Sequence, residues 1–420
     1  MRRTRRVVIT GLGVVAPNGI GKDAFWQNLI AGKSAVDWIT AFDPTPFPCR
    51  IAAEVRNFNP TDFISLRHAK LMGRFSQFAV AAARLAFEDS RLNVTPETAP
   101  RIGVCFGTSA QGGGDINERL HEEVAVGGPE AVTASTMLDF TAHAMTAHIL
   151  SQLNISGQSS SVSSACCTSL DAVNWGLTRI RSGELAAAIV GASEAPLFAT
   201  TYAGLCAGGF FTKWEGPPRQ ASRPYDKLRS GFVLGEGSGA VILEDMDDAV
   251  DRGATIYAEV LGMGGSAEIN QHGLRDMYKT ALIRAILQTL KAAGMSPSEL
   301  DHINAHGNST VHDDQSETNA YKELFGPRAY SIPISSIKSM IGQALAAAGM
   351  FQVISTCLTI RHRIIPPTIN LEYQDPSCDL DYTPNKARTA RVRRALLHSH
   401  SMGGTIPGTH TAAVLAAPVG

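Results

Sequence analysis

Short, uniformly apolar runs alternate with helix-length amphipathic segments along this chain, and that alternation narrows its possible folds more than any other feature. The stretches R-I-G-V-C-F-G (101–107), A-A-A-I-V-G-A (186–192) and G-A-V-I-L-E (239–244) read as strands buried on both faces. Phe75–Leu92 reads as a helix, because Phe78, Ala79, Ala82, Leu85 and Ala86 recur on one side of a 3.6-residue period. The outcome is an α/β protein. The pattern also repeats. R-R-V-V-I-T-G-L-G near the start is echoed by I-Y-A-E-V-L-G-M-G at 256–264. V-S-S-A-C-C-T-S-L-D-A at 162–172 is echoed by I-S-S-I-K-S-M-I-G-Q-A at 334–344. Two similar halves joined near 245–255 are expected, taken as 1–250 and 251–420. Gly/Pro-rich loops at 110–130 and 207–231 are expected on the surface or over a site.

Composition removes several classes. With 37 Lys+Arg against 38 Asp+Glu the net charge is −1, which supplies no field for nucleic acid or an anionic membrane. No run of 18 apolar residues is present, so no membrane span is expected. The start, M-R-R-T-R-R-V-V-I-T-G-L-G, imitates a secretion signal, but its apolar run is short and broken by Gly11 and Gly13; Val7–Thr10 reads as a first buried strand. Gly11-Leu-Gly13 followed by Pro17-Asn18-Gly19 leads into a turn rather than a helix, so a dinucleotide site is rejected. Seven cysteines, odd in number and without C-x-x-C spacing, fit a reducing cytoplasm better than disulfides or zinc.

The chemistry gathers at four strand ends. In V-S-S-A-C-C-T-S-L-D-A-V-N-W-G-L (162–177) an extended segment turns into a helix marked by Leu170, Val173, Leu177 and Ile180 and stopped at Ser182-Gly183. Cys166 or Cys167 then sits at the helix N-terminus, where unpaired amides favour a thiolate and can hold an oxyanion. A buried structural cysteine is the alternative. The segments D-H-I-N-A-H-G-N-S-T (301–310), S-S-I-K-S-M-I-G-Q-A (335–344) and H-S-H-S-M-G-G-T (398–405) each end a strand in reactive or glycine-rich residues. Polar groups converging at strand ends is how open α/β sheets build active sites. His398 and His400 share a strand face, but no third ligand is visible, so a metal is not expected there. K-A-R-T-A-R-V-R-R (386–394) reads as a solvated face, or else as a docking patch for an acidic partner.

Taken with V-V-I-T-G-L-G-V-V-A-P-N-G, K-L-M-G-R-F (70–75), A-S-R-P-Y-D-K (221–227) and G-F-V-L-G-E-G (231–237), these segments closely resemble the β-ketoacyl-acyl carrier protein synthases, in the elongating type and its polyketide relatives. The match runs nearly end to end. The resemblance implies a thiolase-like fold of two βαβαβαββ halves in five layers, αβαβα, and usually a homodimer. It implies no cofactor, with the substrate presented on the phosphopantetheine of an acyl or peptidyl carrier protein. Carried over by residue, the nucleophile is Cys166, with Cys167 packing. The catalytic histidine is His306, the motif lysine Lys338, and the supporting acids Asp314 and Glu317. The oxyanion amides are those of Cys166 and Met402. Asn308, Thr310, Phe232, His400, Met402 and Gly403 fall at substrate or pantetheine positions.

Several residues depart from the family pattern. The second catalytic histidine is Gln343, the glutamate paired with the motif lysine is Gln352, a threonine is Asn308, two gating phenylalanines are His400 and Met402, and an aspartate is Ser230. Glutamine donates an N–H but cannot accept and return a proton near neutrality. The expectation is therefore an enzyme that still captures an acyl or peptidyl group at Cys166 but forms its carbon–carbon bond without decarboxylation, an intramolecular aldol- or Claisen-type closure being one such route. The alternatives are ordinary elongation with malonyl carrier protein, and a non-catalytic gatekeeper resembling a chain-length factor, against which Cys166 argues.

Overall fold

In the computed structural model, which describes residues 5–109, 114–132, 139, 141–268, 275–401 and 408–418, the two expected echoes occupy equivalent places. The first half contributes strands β1 (Val7–Ala16), β2 (Ile102–Gly107), β3 (Ser159–Val162), β4 (Ala187–Glu194) and β5 (Gly237–Asp245). The second contributes β6 (Ala258–Ala267), β7 (His302–Asn304), β8 (Ile334–Ser335), β9 (Arg394–His400) and β10 (Thr409–Ala416). In space the first half runs β3-β2-β4-β5-β1 and the second β8-β7-β9-β10-β6. Numbered within each half, both orders are 3-2-4-5-1, and the directions agree as well. The three outer strands are parallel, and the last two run antiparallel to their neighbours. The first echo pairs β1 with β6, the opening strands of each half. The second pairs the ends of β3 and β8, each of which feeds a helix.

The halves meet at β1 and β6, which exchange a short antiparallel ladder, Val8 opposite Glu259 and Ile9 opposite Ala258. Arg6 closes that seam by donating from Nε to Glu259 Oε1 at 2.8 Å and from Nη2 to Oε2 at 2.5 Å. Alternation along the strands then sorts side chains into layers. On β5, Val241 and Leu243 face one core while Ala240 and Ile242 face another. On β9, Ala395 and Leu397 point to that same first core, whereas Leu396 points to a third. Helices α2 (Thr168–Ser182) and α6 (Ala348–His362) fill the space between the half-sheets and pack on strands of both. Helix α1 (Arg74–Ser90) covers the outer face of the first half; α3 (Arg275–Ala293) and α4 (Val311–Phe325) cover that of the second. The layers are therefore helix, sheet, helix, sheet, helix.

Helix ends follow local chemistry. Helix α2 stops where Gly183 takes φ 84°, its amide capping Ile180 O, as the Ser182-Gly183 pair predicted. Helix α1 ends two residues earlier than the apolar pattern suggested, with Arg91 left-handed at φ 53°. Among the described residues no helix is long and apolar enough to cross a membrane.

Candidate active site

The turn between β3 and α2 is strained and clamped. Ala165 holds φ 51°, a region costing a residue with a Cβ about 1–2 kcal/mol, and the surrounding bonds enforce it. The Cys167 amide donates to Ser164 O at 3.1 Å and the Thr168 amide to Ala165 O at 3.2 Å. The Ser164 amide donates to Thr168 Oγ1 at 2.9 Å. Cys167 is the N-cap, so Cys166 immediately precedes the helix. The two thiols differ. Cys166 packs in an apolar cluster with Phe232, Phe211, Tyr202 and Leu345, and its Sγ accepts an N–H from Gln343 Nε2 at 3.6 Å. The Cys167 thiol instead donates to the carbonyls of Ser399 (3.4 Å) and Thr409 (3.2 Å), and burial pushes it up to about 11. Cys167 is a packing residue.

His306 lies just beyond the end of β7, fully buried. Its Nδ1 accepts the main-chain N–H of His400 at 3.2 Å, the shorter of the ring's two contacts, so the ring proton of the neutral form is assigned to Nε2, which Asn308 Nδ2 faces at 3.4 Å. Burial, reinforced by Lys338 and the neighbouring imidazoles, holds its pKa well below the usual 6.5. Neutral His306 therefore presents an N–H donor rather than a basic lone pair. Lys338, at the start of the one-turn helix α5 (Lys338–Ile341), donates from Nζ to His306 O at 2.7 Å. Burial lowers its pKa to about 8 against the opposing pull of Glu317, Cys166 and Asp314. The Gly307 turn that follows His306 has φ 35°, and a Cβ there would sit 2.7 Å from both Ser336 and the Tyr225 hydroxyl, so glycine is required.

Both acids on α4 support this turn. Glu317 accepts from Tyr225 Oη (2.5 Å), Tyr321 Oη (3.0 Å) and the Gly307 amide (3.1 Å). Asp314 accepts from the amides of Asn308 (3.1 Å), Ser309 (3.2 Å) and Tyr225 (2.8 Å) and lies 3.5 Å from Arg229 Nε. Burial raises both carboxyls to about 7 despite these donors.

Gln343 is fixed by its main chain, which donates to Val233 O at 2.8 Å and accepts from the Gly235 amide at 2.9 Å. Its side chain reaches Cys166, and its Oε1 is buried without a hydrogen-bond partner among the described residues. Gln352, at the position of the family's lysine-paired glutamate, makes no hydrogen bond to Lys338 among the described residues. Its Nε2 donates instead to Asn304 O (3.0 Å), Ala305 O (2.8 Å) and His398 O (3.2 Å), stitching β7 to β9, while Lys338 takes the His306 carbonyl. Asn308 and Thr310 are engaged within their own turn. Asn308 donates to Asp313 Oδ2 at 2.7 Å and accepts the Thr310 amide at 3.0 Å, and Thr310 caps α4. Phe232 lies in the same cluster as Cys166, T-stacked on Phe211. Met402 and Gly403 lie outside the described residues.

His398 and His400 share a face as predicted but serve different partners. His398 Nε2 meets Tyr321 Oη at 2.6 Å, and His400 stacks on His410. The basic run at 386–394 precedes or opens β9, roughly 20 Å along the strand from His400 at about 3.3 Å per residue. Arg388 pairs with Asp381 and Arg394 with Glu299. Sequence reasoning assigned no role to Tyr225, Arg229, Glu268 or His410. The first lies in a motif noted above, but nothing local to it signals a bond to Glu317.

Comparison with known proteins agrees with this geometry. The family model described as "Beta-ketoacyl synthase, N-terminal domain" matches residues 4–249, and "Beta-ketoacyl synthase, C-terminal domain" matches 257–372. The chain is 38% identical over 401 residues to 3-oxoacyl-[acyl-carrier-protein] synthase 2 of Coxiella burnetii, covering 96% of this chain and 97% of that one. It is 40% identical over 422 residues to the tetracenomycin polyketide synthase ketoacyl synthase alpha subunit of Streptomyces glaucescens, covering 99% and 97%. Among solved structures, a type II polyketide ketosynthase bound to the hexaketide, in complex with its acyl-carrier protein, superposes with TM-score 0.90 at 33% identity, covering 99% of this chain and all of that one. The ishigamide ketosynthase/chain length factor gives the same TM-score, identity and coverage.

Proposed function

The chain belongs to the β-ketoacyl synthase family, whose members are acyl-transferring, carbon–carbon bond-forming enzymes, and from that premise we propose that it is a stand-alone condensing enzyme of specialised polyketide or polyketide–peptide metabolism with altered decarboxylation. The observation that carries this reading is Gln343 beside Cys166: the nucleophile is retained, and the group aimed at it is an amide. In the proposed reaction the Cys166 thiolate attacks a carrier-protein thioester and the pantetheine thiol leaves with the proton. The amides of Cys166 and Met402 hold the oxyanion. The substrate rides on the phosphopantetheine of an acyl or peptidyl carrier protein, and the enzyme needs no cofactor of its own. His306 then serves as base or electrophilic helper at the reacting carbonyl: a methylene carbon of the bound chain bonds to the Cys166 thioester carbon, the C–S bond breaks, the methylene proton ends on the released Cys166 thiol, and a cyclic product leaves by this intramolecular Claisen-type step without loss of CO2. By correspondence with the family, Phe232, Asn308, Thr310, His400, Met402 and Gly403 are taken as the substrate and pantetheine contacts. The enzyme works in the cytoplasm as a homodimer, each protomer divided at 250/251 into halves that carry the nucleophile and its helpers respectively.

A second reading, decarboxylative elongation, is favoured by one observation: Gln343 Nε2 and His306 Nε2 are both donors, so two N–H groups could still hold an enolate oxygen. Intact-protein mass spectrometry with an acyl-pantetheine mimic comes first, and an unmodified Cys166 would sink both readings. If the acylated enzyme then releases CO2 from malonyl carrier protein at the rate of an ordinary elongating relative, the non-decarboxylative reading is wrong.

A further inference from the structure

Strand pairing brings together three ligating side chains that are far apart in the chain. The register of β9 and β10 sets His400 directly opposite His410. On the other side of β10, the Glu268 amide, one residue past β6, donates to Gly408 O at 2.9 Å. All three side chains are buried, with exposures of 8% for Glu268, 4% for His400 and 0% for His410. His410 Nε2 lies 2.9 Å from Glu268 Oε1 and His400 Nε2 lies 3.3 Å from the same oxygen, and the imidazoles stack at 4.4 Å. One ligand atom from each residue falls within 4.8 Å of the others.

The two nitrogen–oxygen spacings suit a coordination shell. Bonds of about 2.0–2.2 Å from an ion to N and O, opened by 90–110°, give ligand–ligand edges of roughly 2.9–3.4 Å. A second, independent observation concerns unmet polar atoms. Nδ1 of His400 and Nδ1 of His410 are buried without a hydrogen-bond partner among the described residues. The Tyr278 hydroxyl is equally orphaned, and its ring stands 4.3 Å and 4.8 Å from the two imidazoles. Such buried groups are costly to leave unmet, so a cluster of them points to a missing partner. Gly408 keeps a side chain out of the cluster: a Cβ there would sit 2.7 Å from His400 Nε2, 2.9 Å from Ser401 O and 3.3 Å from Glu268 Cδ.

We propose that Glu268, His400 and His410 bind a divalent transition-metal ion of the zinc or iron(II) class. Two imidazoles and one carboxylate select such ions over calcium or magnesium, which prefer all-oxygen shells. Three protein ligands also leave coordination positions open to water or a substrate oxygen. Because the main-chain amide of His400 holds His306 Nδ1, occupancy of the site fixes the strand end that orients the catalytic imidazole.

The test is direct loading of the full-length enzyme. After dialysis against a chelator, cobalt(II) or zinc(II) is restored and counted by plasma mass spectrometry, and the cobalt form is examined by visible absorption. The expected result is one equivalent per chain, with ligand-field bands and no thiolate charge-transfer band. The equivalent persists in Cys166→Ala and binds at least tenfold more weakly in Glu268→Gln and in His410→Phe, which keeps an aromatic ring in the stack. Failure of the wild type to take up an equivalent overturns the proposal. So does a thiolate band, or undiminished binding in folded Glu268→Gln and His410→Phe. If neither variant folds, the wild-type stoichiometry and spectrum decide alone.

Discussion

Two residues of the same type, side by side, have opposite fates because one peptide separates the inside of a helix start from its approach. Cys166→Ala is expected to abolish acylation by a thioester mimic. Cys167→Ala should leave acylation within a few-fold while lowering stability by about 1–2 kcal/mol, read by urea unfolding, because it strips two sulfur contacts from a packed core. Gln343→His should raise CO2 release from malonyl carrier protein roughly ten- to a hundredfold if the missing imidazole is what limits it. Cys166, His306 and Lys338 were legible as residues because their types and motif order are unusual. Their wiring was not. That Lys338 grips the His306 carbonyl rather than residue 352 depends on where two strand ends stop in space, and no local pattern encodes it.

The turn after β7 and the helix it feeds, α4, behave as one polar unit, and two expectations belong to it. The Glu317 carboxyl is raised by burial from 4.5 to about 7, so between those values the folded chain holds a proton that the unfolded chain has released. The stability that Glu317 contributes should therefore fall as pH climbs through that window, read as a wild-type minus Glu317→Gln difference in urea unfolding that shrinks between pH 5 and pH 7.5. Gln352→Leu, of similar size, removes the donors to three strand-end carbonyls and should cost about 2–4 kcal/mol. Strands and helices were readable wherever burial is two-sided or periodicity is long, as in β1, β4 and α1. The short strands β7 and β8 are defined by their neighbours rather than by their own few residues. The triad of Glu268, His400 and His410 exists only because a register sets one histidine opposite another.

At the scale of the molecule, the middle layer belongs to both halves. Helix α2 packs on β2 and β4 from its own half and on β10 and α6 from the other. Residues 1–250 alone would leave that face of α2 wet, so the fragment should lack near-ultraviolet circular dichroism and bind a hydrophobic dye, while the whole chain does neither. The same arrangement sets a schedule. Cys166 lies in the first repeat, while His306, Lys338 and Gln343 lie in the second, and synthesis at about 5–20 residues per second separates the nucleophile from His306 by roughly 10 s. For that interval the thiol stands without Gln343 and His306, so capture of a thioester is expected to await the docking of the second repeat.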